Sequence, residues 1–169
     1  MALGLLSETD ASAFLLERTA ESEDKTLRVW ELETGRCLRV LEGHTDNVSS
    51  VQVTPDGQRA ISASWDKTFR AWDLATGKCL SVLEGHTSWS HSMKVTPDGL
   101  RAVSAGHDRT LRVWDLESGQ CLALACLPIP ASSFAFSSRL GQVVAGTSIG
   151  QVLQFDLRGI SLAAASPAS

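Results

Sequence analysis

The chain has 169 residues, with 15 Lys and Arg against 19 Asp and Glu, for a net charge of −4. Its composition, 43% apolar and 20% charged, is that of a folded soluble domain or a short repeat array rather than a disordered chain. No apolar run approaches the roughly 18 residues of a transmembrane helix, and a mildly acidic chain offers no electrostatic footprint for phosphate backbones.

In chain order, residues 1–16 (MALGLLSETDASAFLL) lack a basic start and carry Glu8 and Asp10 before their apolar end. They do not read as a signal peptide and are expected to be an irregular N-terminal segment. From Thr26 the chain repeats with a period of 42. Blocks opening at Thr26, Thr68 and Thr110 begin TLRVWELETGRCL, TFRAWDLATGKCL and TLRVWDLESGQCL. The first two agree at 25 of 42 positions without a gap. The third follows until Leu122 and then drifts, and a weaker opening appears at Gln151 as QVLQFDL.

One block resolves into four short strands. TFRAWDL alternates, with Phe69 and Ala71 on one side and Arg70, Trp72 and Leu74 on the other. Thr76-Gly77 signals a turn, KCLSVL a second strand, and Gly85-His86 the start of a loop. SMKVT is a third strand, Pro97-Asp98-Gly99 a tight turn with Pro presetting φ and Gly allowing positive φ, and RAVSA a fourth. No segment holds a helical period. A four-stranded unit of about 40 residues fits a propeller blade.

Several elements recur together at this period. They are Gly43-His44 and Gly85-His86, Pro55-Asp56-Gly57 and Pro97-Asp98-Gly99, Ser64-Trp65-Asp66-Lys67-Thr68, and Trp72-Asp73 and Trp114-Asp115, with Trp30-Glu31 and Phe155-Asp156 as looser versions. On these residues the chain resembles the WD-repeat β-propeller family over roughly residues 17–157, and is closest in style to the WD arrays of bacterial signalling proteins. The resemblance implies an all-β fold of about three and a half four-stranded antiparallel blades in an incomplete propeller. The half blade is 17–41, the two full blades 48–83 and 91–125, and a degenerate blade 132–164, followed by a tail at 165–169. The degenerate blade has Leu127-Pro128 where Gly-His belongs and Ile149 where the Asp belongs.

The resemblance also implies a hydrogen-bonded tetrad in each full blade: His44, Ser62, Asp66 and Trp72, then His86, Ser104, Asp108 and Trp114. Strand alternation puts Ser64 on the same face as Ser62, so either serine could complete the first set. A His–Asp pair near a Ser invites a catalytic reading. A set repeated in every block is instead the mark of a structural bond, and no nucleophile elbow, phosphate loop or H-E-x-x-H motif is present. The chain is therefore expected to be no enzyme, to need no cofactor, and to bind no metal.

The two full blocks differ most after Gly-His, where Asp46-Asn47-Val48-Ser49 becomes Ser88-Trp89-Ser90-His91, and before the tetrad Asp, where Ser64-Trp65 becomes Gly106-His107. In an antiparallel meander both places lie at one end of the blade. Asn47, Trp65, Trp89, His91 and His107 thus form a candidate partner-binding rim, since varied aromatic side chains on a rigid scaffold suit recognition. The expected partner is a protein or peptide, not nucleic acid or membrane. A homodimer, or blades missing upstream, would complete the propeller. The alternative is a severed C-terminal sensor array of a larger signalling NTPase or kinase. Cys37, Cys79 and Cys121 recur every 42 residues, are not at zinc spacing, and are expected to be reduced and interior in a cytoplasmic protein.

Overall fold

A computed structural model of the chain describes residues 4–5, 14–18, 25–128, 131–137, 142–147 and 152–156. All regular structure in them is antiparallel strand. The first sheet holds β1 (Gly4–Leu5), β2 (Phe14–Arg18), β3 (Leu27–Glu31) and β4 (Cys37–Leu41). The second holds β5 (Val48–Val53), β6 (Arg59–Ser64), β7 (Phe69–Asp73) and β8 (Cys79–Leu83). In the third are β9 (Ser90–Val95), β10 (Arg101–Gly106), β11 (Thr110–Asp115) and β12 (Cys121–Cys126). The fourth has β13 (Ala131–Ser137), β14 (Gln142–Thr147) and β15 (Val152–Asp156). Each sheet is a meander in chain order, the arrangement of a propeller blade.

One expectation is corrected. The first sheet is not a half blade, and residues 1–16 are not wholly irregular. Phe14–Arg18 pairs along β3, with Leu15 opposite Trp30 and Leu16 opposite Val29, and Gly4–Leu5 adds a fourth strand. A two-residue strand carries no periodicity to read, and the apolar run at 14–16 lacks the Pro-Asp-Gly turn that marks the second and third sheets. The end of the degenerate blade at 157–164, the tail at 165–169 and Ile149 lie outside the described residues.

The turns follow their sequence. Gly57 takes φ 71° in the Pro-Asp-Gly turn, where Asp56 accepts from the Thr54 hydroxyl at 2.6 Å and from Gln58 N–H at 3.0 Å. Asp73, of the Trp-Asp pair, accepts from Thr76 N–H and hydroxyl at 2.6 and 2.7 Å and so closes the turn from β7 to β8. Asp115 does the same with Ser118.

The core lies between sheets. Leu27, Val29 and Leu41 pack on Ala60 and Trp72. Ile61, Ala63, Phe69, Ala71 and Leu83 pack on Met93, Ala102, Trp114 and Leu116. Val103, Ala105, Leu111 and Val113 pack on Leu127, Phe134, Val143 and Ala145. Period-two alternation explains this: odd positions of β6 face the following sheet, while Ala60 and Trp72 face the preceding one. The inner strands β1, β5, β9 and β13 neighbour one another in that order, and no comparable contact joins β13 to β1 among the described residues. The sheets form an open arc.

At the outer edge, the sheets are clasped by side chains at one recurring position. Arg39 on β4 donates from Nε and a terminal nitrogen to the Ala75 carbonyl of the second sheet, at 3.1 and 2.6 Å. Ser81 on β8 donates to the Leu116 carbonyl of the third at 2.9 Å. The third sheet has Ala123 there, which has no donor to offer.

The cysteines correct a second expectation. All four are free, but Cys79, Cys121 and Cys126 are exposed and Cys37 is half-buried. Cys37, Cys79 and Cys121 open β4, β8 and β12, the outermost strands of their sheets, each paired on one side only among the described residues.

Candidate interaction rim

The segments Glu42–Asn47 and Glu84–Trp89 carry the chain from the outer strand of one sheet to the inner strand of the next. Each must be fixed to the sheet it enters. In the second sheet His44 is buried and links two groups: Nδ1 lies 2.8 Å from Asp66 Oδ2, and Nε2 lies 2.7 Å from Ser62 Oγ. The Trp72 indole N–H donates to the same Ser62 Oγ at 2.8 Å. The third sheet repeats the arrangement. His86 reaches Asp108 at 2.9 Å and Ser104 at 2.8 Å, and Trp114 donates to Ser104 at 2.7 Å. The structure brings all eight residues into two hydrogen-bonded chains. Ser64 lies outside them: it donates to the Asp46 carbonyl and accepts from Asp66 N–H.

Proton positions follow from the partners. Burial acts first on Asp66 and would raise its pKa. Hydrogen bonds from the Thr68 hydroxyl, His44 and the backbone N–H groups of Thr45 and Thr68 outweigh that and hold it at about 2. An ionised carboxylate only accepts, so His44 carries its proton on Nδ1. Burial lowers the pKa of His44 more than the hydrogen bond and charge of Asp66 raise it, with Arg70 lowering it further. The ring is neutral at pH 7, and Nε2 accepts the Ser62 hydroxyl proton. Ser62 oxygen in turn accepts from Trp72. His86 and Asp108 are shifted in the same directions, by burial and Arg112 on the histidine and by Thr87, Thr110 and His86 on the carboxylate. Every polar atom of the chain is thus used, as buried groups require.

This arrangement is structural rather than catalytic. Ser62 and Ser104 are fully buried between an imidazole and an indole, and no face of the hydroxyl is open to a substrate. Gly43 and Gly85 complete it. Their φ values of 147° and 151° suit glycine, and a Cβ on Gly43 would meet the Arg70 guanidinium at 2.7 Å. Among the described residues no group of three His, Cys, Asp or Glu is placed to hold a metal ion.

The tetrads fix the loops, and the loops carry the rim. Trp65, in the turn from β6 to β7, and Trp89, entering β9, stack with centroids 6.2 Å apart and 29° between planes. His107, in the turn from β10 to β11, lies 5.7 Å from Trp89. Backbone bonds set these positions: Trp65 N–H donates to the Asn47 carbonyl, and His107 N–H to the Trp89 carbonyl, both at 2.9 Å. Trp65 and Trp89 remain 47% and 54% exposed, against 1% and 0% for the tetrad rings Trp72 and Trp114. Four of the five rim residues named from sequence therefore lie together, with Asn47 joining through its backbone. The side chain of His91 lies outside the described residues. Sequence reading did not foresee that Trp65 and Trp89 would stack across two blades, because a ring pair 24 residues apart has no local signature.

Residues 35–73 and 77–115 match the family model "WD domain, G-beta repeat". These two segments are similar to WD repeats. Their limits run from the turn before β4 to the end of β7, and from the turn before β8 to the end of β11, so each repeat donates its first strand to one blade and the rest to the next. The chain is similar to "Nuclear distribution protein PAC1" of Arthroderma otae, 46% identical over 41 residues. It is similar to "Lissencephaly-1 homolog" of Heterostelium pallidum, 49% identical over 41 residues. It also matches "WD repeat-containing protein pop1" of Schizosaccharomyces pombe, 52% identical over 40 residues. Each match covers 24% of this chain and only 9%, 10% and 5% of the respective relative. These relatives are fungal and protist WD-repeat proteins, not bacterial signalling ones.

Proposed function

We propose that the chain is a non-catalytic scaffold that binds a protein or peptide on the rim bearing the Gly43-His44 and Gly85-His86 loops. The observation that carries this reading is the exposed aromatic row Trp65–Trp89–His107, held by two buried tetrads. Rings fixed by a rigid frame lose little conformational freedom on contact, which is why aromatic anchors dominate binding energetics. The tetrads serve this function indirectly, by locking the two loops from which Trp89 and the Asn47 carbonyl project. No feature of the described residues favours the alternative of a severed sensor array attached to an NTPase or kinase. The cytoplasm, where the free cysteines would stay reduced, is the proposed location.

A displayed peptide library tests the reading. Sequences enriched on the parent chain should be lost on the Trp65→Ala/Trp89→Ala variant. Enrichment unchanged by that double substitution would place the contact surface elsewhere.

A further inference from the structure

The same interface is used three times in this chain, and its two halves are left open at the ends of the arc. One half is the face each sheet turns toward the sheet that follows: Val29 and Leu27 in the first, Ile61, Ala63, Phe69 and Ala71 in the second, Val103, Ala105, Leu111 and Val113 in the third. Strand register transfers these positions to the fourth sheet. Val103 pairs with Val113 and Ala105 with Leu111; Val144 pairs with Gln154 and Gly146 with Val152. The fourth sheet therefore presents Val144, Gly146, Val152 and Gln154. Val144 is 39% and Val152 72% exposed, while their counterparts Val103 and Leu111 are 1% and 2% exposed. This face has the position of an interface, and no described residue packs on it as the following sheet does at the three internal junctions.

The other half is the face each sheet turns toward the one before it. The second sheet uses Trp72 there, and the third uses Trp114. The first sheet has Trp30 at this position, only half-buried, and its indole N–H is buried with no hydrogen-bond partner among the described residues. Glu17 stands in register where the tetrad serine would accept it.

We propose that two copies of this chain join head to tail, the exposed face of the fourth sheet of each packing on the first sheet of the other. The occupant is chosen by continuity. This chain carries both halves of an interface it already forms three times, so a second copy supplies the missing half without any new surface. Two such seams related by a two-fold axis close a ring, and four sheets from each copy give eight blades, within the four to eight of known propellers. At the internal junctions Val29 shares a cluster with Trp72, and Ala71 with Trp114. The seam puts Gln154 at the corresponding place beside the Trp30 ring.

Light scattering after size separation, from low to high micromolar concentration, tests this. The parent should run as a dimer that dissociates on dilution, with no larger species. Val152→Glu should run as a monomer throughout with an unchanged circular dichroism spectrum, because Val152 is exposed within one copy and a charge there meets only the partner. Gln154→Lys serves as the second variant. A parent that stays monomeric at high concentration would overturn the proposal and make the fourth sheet a terminal cap. Dimers that persist in both variants, or species that grow beyond a dimer, would also overturn it.

Discussion

Trp65 and Trp89 stack at 6.2 Å although they come from different blades. Trp65 sits in the β6–β7 turn of the second sheet, and Trp89 on the approach to β9 of the third. Each is held by a backbone bond within its own sheet, to Asn47 in one case and from His107 in the other. The stack therefore bridges the blade junction on the rim, above the junction's apolar core of Ile61, Ala63, Phe69, Met93 and Trp114. Blade packing and surface recognition meet in these two rings.

The tetrads make a first prediction. Asp66→Ala removes the acceptor for His44 Nδ1–H, Thr45 N–H and both Thr68 donors. Leaving a buried donor unsatisfied costs about 1–3 kcal/mol. Urea melts should show that loss in the midpoint. A variant as stable as the parent would mean that the His44–Asp66 bond holds nothing together.

Acid should weaken the fold in two steps. The folded pKa of His44 and His86 is lowered below the usual 6.5, so the unfolded chain binds more protons as pH falls through 6.5. Stability from the neutral rings is fully present above that value and declines below it. Asp66 is held at about 2 against an ordinary 3.8, so its contribution is present above 3.8 and lost as pH falls toward 2. Melting temperature should thus be flat above neutrality, fall from about pH 6.5, and fall again below about pH 4. In Asp66→Ala the second step should shrink.

Thiol labelling separates the cysteines. Cys79, Cys121 and Cys126 are exposed in the native chain and should react at once with a bulky maleimide, while half-buried Cys37 should lag. Mass spectrometry of the timed digest reads this directly. Simultaneous protection of Cys79 and Cys121 would show that their outer strands are covered.

Much of this molecule is written in its sequence because it is written more than once. The 42-residue period exposed the strands and the Pro-Asp-Gly and Trp-Asp turns, and the resemblance that the period carries implied the tetrads, with Ser62 and Ser64 both left open for the first. What the repeat does not encode was harder to read. β1 is two residues long, and β2 lies outside the period. The cysteines recur, but recurrence does not tell a core position from an edge. The Arg39 and Ser81 clasps differ in residue type, so block comparison treats the position as neutral although both side chains do the same work.

Arg39 gives the next prediction. Arg39→Ala removes both donors to the Ala75 carbonyl and uncouples the outer edges of the first two sheets. The bonds are solvent-exposed, so the cost should be near the low end of a single hydrogen bond, about 0.5–1 kcal/mol. Hydrogen exchange should quicken in β3 and β4 before it does in β10 and β11. Uniform quickening across all sheets would argue against a local clasp.

The rim supplies the last prediction, which turns on separating binding from folding. Trp65 and Trp89 are each about half exposed, so either ring removed alone should cost far less than a buried tetrad tryptophan. Their stacking predicts a coupling of about 0.5–1 kcal/mol in a double-mutant cycle on stability. Trp65→Ala, Trp89→Ala and the double variant should all melt cooperatively within a few degrees of the parent. Binding should respond differently. If the rings are anchors of about 2 kcal/mol or more, either single variant should weaken peptide capture at least tenfold, and the double variant should abolish it. A double variant that unfolds, while its folded fraction still captures peptide, would make the two rings packing residues of the blade junction and move the contact surface off this rim.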